Sequence, residues 1–92
     1  ILAFPDFNLP FILHTDACNT GIGAVLTQVQ NDKEVAICYW LRSLNKAERN
    51  YSTTEKECLA VVDATKNFRY YLLGRKFQIV VDHHSLKWLN TV

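Results

Sequence analysis

The amino-acid sequence predicts a mixed α/β domain: three antiparallel strands, a parallel fourth, and one long helix packed on the sheet. Three observations lead there. Short apolar runs separated by polar or glycine turns fill the stretch from Phe11 to Arg42. A capped segment with helical periodicity begins at Ser52. A last apolar run, Phe77–Val81, follows that helix, and a strand reached through a helical crossover is naturally placed parallel to its neighbour.

Each element can be justified in order. Residues 1–10 hold both prolines and read as an extended lead-in. Phe11–Asp16 reads as a short buried strand. Asn19, Gly21 and Gly23 supply a turn into a second strand, Ile22–Gln30. Asn31-Asp32-Lys33 is a polar hairpin turn. Glu34–Arg42 is a third strand, with Val35, Ile37 and Tyr39 alternating against Glu34, Ala36 and Cys38. Ser52-Thr53-Thr54-Glu55 fits a capping box, with Ser at the N-cap and Glu at N3. The helix it opens is expected from Thr53 to Leu72, with Gly74 as its stop and Arg69, Arg75 and Lys76 near its negative end. Ser85–Leu89 begins a second helix.

Composition bounds the function. The chain has 92 residues, enough for one domain. It is 49% hydrophobic and 21% charged, ordinary for a globular domain. No apolar run approaches the ~20 residues of a membrane span, and no signal segment opens the chain, so no membrane partner is expected. The chain opens at Ile1 and contains no Met, and it reads as a segment of a longer reading frame. The net charge of +1 does not by itself point to a polyanion. Cys18, Cys38 and Cys58 form no C-x-x-C pair. They read as small apolar side chains in a reducing compartment, the sharper alternative being a zinc site of Cys18 with His14, His83 or His84.

Three carboxylates stand in telling places. Asp16 and Asp82 each end an apolar strand, and in open α/β sheets functional groups gather beyond the carboxyl ends of strands. Two carboxylates side by side repel unless a cation or proton intervenes. Helical spacing puts Glu57 on one face with Ala60, Val61, Ala64, Phe68 and Tyr71, and Lys56, Asp63, Lys66, Asn67 and Tyr70 towards the other. A carboxylate on such a core-facing stripe is either a metal ligand or a charge reaching solvent from near the helix end. All-oxygen ligands suit Mg²⁺ or Mn²⁺, and a pair of such ions ~3.5–4 Å apart activates water for phosphodiester hydrolysis. Lys66, Arg69, Tyr70, Tyr71, Arg75 and Lys76 form a basic-aromatic cluster, either a contact to a nucleic-acid backbone or a solvated helix end.

The string Phe11-Ile12-Leu13-His14-Thr15-Asp16-Ala17, the stretch Gly21–Leu26, the longer string Ala47–Val62, then Phe68–Leu72 and Asp82-His83 with Leu86 and Trp88-Leu89 together resemble the ribonuclease H domain of gypsy-type LTR retrotransposon polyproteins. The resemblance covers nearly the whole chain. It implies a ribonuclease H-like fold, with residues 1–10 as the connecting lead-in after the polymerase part and residues 11–92 as the domain. It further implies that the fifth strand and a later catalytic Asp lie beyond Val92. The implied activity is hydrolysis of the RNA strand of an RNA–DNA hybrid with two Mg²⁺ ions, Mn²⁺ substituting, and no small-molecule cofactor. Asp16, Glu57 and Asp82 match the family's carboxylates, and Ala17, Asn19 and His83 match positions near substrate. The implied partners are the hybrid and the other domains of a reverse transcriptase polyprotein, in the cytoplasm or nucleus within a retroelement particle. Cys18 stands where the family more often has Ser, Trp40-Leu41 where it has a small pair, and Val81 where it has Thr. The competing expectation is a relic or host-adopted module that folds or binds without cutting.

Overall fold

A computed structural model describes residues 1–81. Strands β1 (Phe11–Ala17), β2 (Gly21–Gln30) and β3 (Lys33–Ser43) form an antiparallel meander. Helices α1 (Lys46–Arg49), α2 (Thr53–Asn67) and α3 (Arg69–Leu72) follow, and β4 (Phe77–Val81) closes the described chain. The sheet order is β3-β2-β1-β4, with β4 parallel to β1. The predicted mixed sheet is thus found. The β2–β3 turn is two residues, Asn31 and Asp32, both at positive φ (53° and 65°), the twist that a tight hairpin needs and that Asn and Asp tolerate.

One face of the sheet carries the main core. Phe11, Leu13, Ala24 and Leu26 pack against Ala64, Phe68 and Leu72, and all of them are buried. Alternation sends Val25 to the opposite face, where it meets Ala36 and Tyr39.

The structure corrects the sequence reading in four places. First, β3 does not alternate throughout: Leu26 pairs with Cys38 but Thr27 with Ala36, so Ile37 is an extra residue. The bulge puts Ile37 and Cys38 on the same face, against the main core, and turns Tyr39 to the other face with Ala36. Second, the long helix stops at Asn67. Phe68 leaves helical geometry (φ −96°, ψ 19°), and α3 adds one further turn. Asn67 Nδ2 donates to the Asp63 carbonyl and Thr65 Oγ1 to the Val62 carbonyl, bonds that compete with the helical ladder. Phe68 and Leu72, four residues apart, both reach the core. Third, the buried stripe is Lys56, Ala60, Ala64, Phe68 and Leu72, while Glu57, Val61 and Tyr71 are half-buried. Lys56 was expected outward. Its stem is instead covered, and its Nζ reaches the Asn19 carbonyl at 3.4 Å. Fourth, Cys18 and Cys58 are exposed and only Cys38 is half-buried, so just one of the three thiols behaves as a core side chain. Burial pushes the Cys38 thiol up to about 11.

The capping box forms as read: the Glu55 N–H donates to Ser52 Oγ and the Ser52 N–H to Glu55 Oε1. A second capping box, unforeseen, opens α1 through Asn45 and Glu48. The Ser85–Leu89 helix lies outside the described residues.

The lead-in is tied to the sheet rather than adrift. The Ala3 N–H donates to the Ala36 carbonyl at 2.8 Å. Gln28, fully buried, accepts from the Asp6 N–H and donates to the Asp6 carbonyl, while Gln30 Nε2 reaches the Phe4 carbonyl. Gln28 does for this segment what a strand partner would do. Replacing it by Leu strands two backbone groups of Asp6, and is expected to cost about 1–3 kcal/mol in denaturant unfolding. Limited proteolysis of Gln28→Leu should cut within residues 1–10 first; unchanged stability and cutting would show that the lead-in holds without Gln28.

Candidate active site

Asp16 is the penultimate residue of β1, half-buried, opposite Gly23 of β2. The Ala17 N–H donates to Asp16 Oδ1 at 2.8 Å, which fixes one carboxylate oxygen. A cavity of about 380 Å³ opens beside it, lined by Asp16, Cys18, Gly21, Gly23, Leu41 and Arg42 among others. Gly23 suits the narrow space there. A Cβ at this position would run into the Leu41 side chain and sit 3.1 Å from the Trp40 carbonyl oxygen.

Glu57 lies in the second turn of α2 and is half-buried. It lines a different cavity, of about 390 Å³, with Cys58, Val61, Val62 and Val81. Val81 links the two carboxylates in the fold: it lines the Glu57 cavity, and it pairs in parallel register with Thr15, the residue before Asp16. Asp82 and His83 lie outside the described residues. Among the described residues, no three His, Cys, Asp or Glu side chains converge as a metal site.

The other expected site residues are placed as follows. Ala17 uses its N–H on Asp16. Asn19 is exposed in the β1–β2 turn, its carbonyl facing the Lys56 ammonium. Cys18 is exposed in the same turn, and hydrogen bonds led by the Thr20 backbone hold its thiol below the ordinary range. His14, the nearest candidate zinc partner in sequence, engages Glu34 through Nε2 at 2.6 Å. Glu34 sits below the usual carboxylate range, chiefly because the Thr27 hydroxyl donates to it.

Arg42 was not singled out from sequence. It lines the Asp16 cavity and clamps three elements together. From β3 it donates through Nη1 and Nη2 to both Glu48 carboxylate oxygens of α1, and through Nε and Nη2 to Asp63 of α2. Glu48 Oε1 also accepts from the Asn45 N–H, so the α1 cap and the clamp share one carboxylate. The signal available in sequence was an Asp on the outer face of α2, 21 residues from the Arg, and such a separation carries no local pattern. The Arg42 hydrogen bonds hold the Glu48 carboxyl below its usual range. A carboxyl depressed in the fold adds stability above its unfolded pKa and loses it as pH falls through the folded value. Arg42→Gln should therefore lower the thermal midpoint at pH 7. The gap from the parent should narrow as pH drops through and below ~4.3, the ordinary Glu value. A gap independent of pH would show that packing, not charge, makes the clamp.

Comparison with known proteins fits this geometry. Residues 6–92 match the family model described as the RNase H-like domain found in reverse transcriptase. The chain is 51% identical over 92 residues to the retrovirus-related Pol polyprotein from transposon 297 of Drosophila melanogaster, covering all of this chain and 8% of that protein. It is 49% identical over 87 residues to the Pol polyprotein from transposon opus of the same organism, covering 94% of this chain and 9% of that one. The chain thus spans under a tenth of the length of these relatives. Among solved structures it resembles the foamy viral protease-reverse transcriptase in complex with double-stranded DNA, at TM-score 0.74 and 16% identity over 99% of this chain and 19% of that one. The same enzyme in complex with RNA/DNA hybrid aligns at TM-score 0.69 and 15% identity, over 92% of this chain and 12% of that one. These two likenesses show the shared fold. With its family model, its gypsy-type relatives and its β3-β2-β1-β4 sheet in agreement, the chain belongs to the RNase H-like domains of retroelement reverse transcriptases.

Proposed function

We propose that the chain is the nuclease part of a retroelement reverse transcriptase, hydrolysing the RNA strand of RNA–DNA hybrids with divalent metal. The observation that carries this is the parallel pairing of Thr15 with Val81, together with Val81 lining the Glu57 cavity. It brings the chain positions next to Asp16 and Asp82 side by side, with the α2 carboxylate at the same end of the sheet. Support comes from the foamy viral enzyme of the same fold, which has been solved in complex with RNA/DNA hybrid.

The donor set fits hard cations, because Asp16, Glu57 and Asp82 offer only carboxylate oxygens. Asp16 and Asp82 would hold two Mg²⁺ or Mn²⁺ ions, and Glu57 would complete one shell and orient the attacking water. Such ions, when bound, ease deprotonation of that water and neutralise the leaving oxygen. The chain's own residues supply the preorganisation. The Ala17 N–H fixes the Asp16 carboxylate before substrate arrives, and the Arg42 clamp sets where α2, and therefore Glu57, lies relative to the sheet. The reaction takes place in the reading frame's parent polyprotein, within a particle in the cytoplasm or nucleus.

The test is cleavage of a strand-labelled RNA–DNA hybrid with Mg²⁺ or Mn²⁺. Cutting of the RNA strand alone is expected, abolished by chelation and reduced to background in Asp16→Asn, Glu57→Gln and Asp82→Asn. A folded chain that leaves the hybrid intact under these conditions would contradict the reading of this segment as a self-sufficient nuclease, leaving either a module that folds or binds without cutting or an incomplete piece of a larger catalyst.

A further inference from the structure

The segment between α2 and β4 is the most basic part of the chain. From Ala64 to Val81 it holds Lys66, Arg69, Arg75 and Lys76 and no acid, against a net charge of +1 for the whole sequence. The fold gathers these cations. α2 ends at Asn67, α3 adds one turn, and Gly74 at φ 74° reverses the chain into β4. All four cationic residues are exposed. Phe68 and Leu72 anchor the segment from below, each 4% exposed.

Aromatic rings stand among the charges. Tyr70 is 77% exposed and meets Tyr71 and Phe7 edge-on, at 5.2 and 6.0 Å between centroids. The Arg75 guanidinium lies 4.7 Å from the Phe7 ring centroid, and its Nη1 donates to the Tyr71 carbonyl. Among the described residues, the acids closest in the chain to Phe7 and Lys66 have partners of their own. Asp6 Oδ1 accepts the Asn8 N–H, and Asp63 is bound by Arg42. Complementing the α2 dipole explains Lys66 and Arg69 at most. Arg75 caps the Tyr71 carbonyl at the end of α3, and Lys76 lies past both helices, outside the reach of the α2 dipole.

We propose that this patch holds the phosphate backbone of the RNA–DNA hybrid away from the point of cutting, an inference that rests on the nuclease reading above. The patch sits at the Phe11 end of β1, through Phe7 and Tyr71 packed on that ring. Asp16 sits near the other end. The five steps between them span roughly 17 Å at ~3.3 Å per residue. That is about five base steps of duplex at ~3.4 Å per step. Arg69, Lys76 and Lys66 supply exposed cations, and the Tyr70 hydroxyl is a further donor to phosphate oxygen. Contacts of this kind set register and orientation without reading sequence.

The test is hybrid affinity as a function of salt, by fluorescence anisotropy, with the full chain carrying Asp16→Asn so that substrate is not consumed. Neutralising one phosphate contact lowers the slope of log affinity against log salt by about 1. The double variant Arg69→Gln/Lys76→Gln touches two exposed side chains remote from the carboxylates. It should lose about 2 from that slope, equally for hybrids of unrelated sequence, with its thermal midpoint unchanged. If that variant fails to fold, Lys66→Gln/Lys76→Gln is judged by the same criterion. A parent chain that binds while the folded variant keeps the parent slope would overturn the patch and spare the nuclease reading. So would a variant that keeps the slope but loses association with a protein partner, since the patch would then be a protein interface. A parent chain that does not bind hybrid at all would overturn both.

Discussion

Five backbone pairings, Phe11 with Phe77 through Thr15 with Val81, tie β4 to β1 in parallel, and the rest of the site depends on them. Parallel neighbours need a crossover, and α2 provides it, laid over the face of the sheet that carries Leu13, Ala24 and Leu26. The register has little freedom. Phe77, paired with Phe11, packs against the core that holds Phe11 and Leu13, and a slip of β4 by one residue would turn it to the opposite face. Fixing β4 against β1 fixes Val81 beside Thr15. Whatever follows Val81 in the chain therefore starts from the strand end that bears Asp16.

Packing holds the helix on the sheet, and long cationic side chains locate its entrance. Ala60 and Ala64 let α2 approach the strands closely. Lys56 reaches from the first turns of α2 to the Asn19 carbonyl, tying the helix to the β1–β2 turn beside Asp16. Arg42 ties the same helix, two turns further on, to β3 and α1. Exposed ion pairs are individually weak, but a guanidinium shared by two carboxylates from different elements restricts orientation more than a single pair does. The tethers act on either side of Glu57, one residue before it and six after. They constrain the carboxylate's position relative to the sheet.

Much of this was legible in the sequence. Strands β1, β2 and β4 showed as bounded apolar runs, and the Ser52–Glu55 capping box located the start of α2 to the residue. Asp16 and Glu57 stood out because each interrupts an apolar pattern at the end of an element. Other features carry no local signal. The bulge at Ile37 arises from pairing with β2, and the sequence around it reads as unbroken alternation. The break at Phe68 follows side-chain bonds of Thr65 and Asn67 that compete with the helical ladder, and neither residue type marks a helix end by itself. Lys56 is buried because a turn 37 residues earlier offers a carbonyl, and Arg42 finds its acids on two other elements. Periodicity reports which residues share a face of an isolated helix. It does not report how far the helix rotates when it docks.

The most direct test of the proposed carboxylate site is paramagnetic broadening of backbone amide signals by sub-stoichiometric Mn²⁺ in the folded chain. If the β1–β4 pairing builds one divalent site, the signals of Asp16, Ala17, Glu57 and Val81 broaden together, while those of Asn31 and Asp32 at the opposite end of the sheet stay sharp. Broadening confined to Asp16 and Ala17 with Glu57 and Val81 untouched, or centred on another part of the chain, would contradict a single site assembled by that pairing.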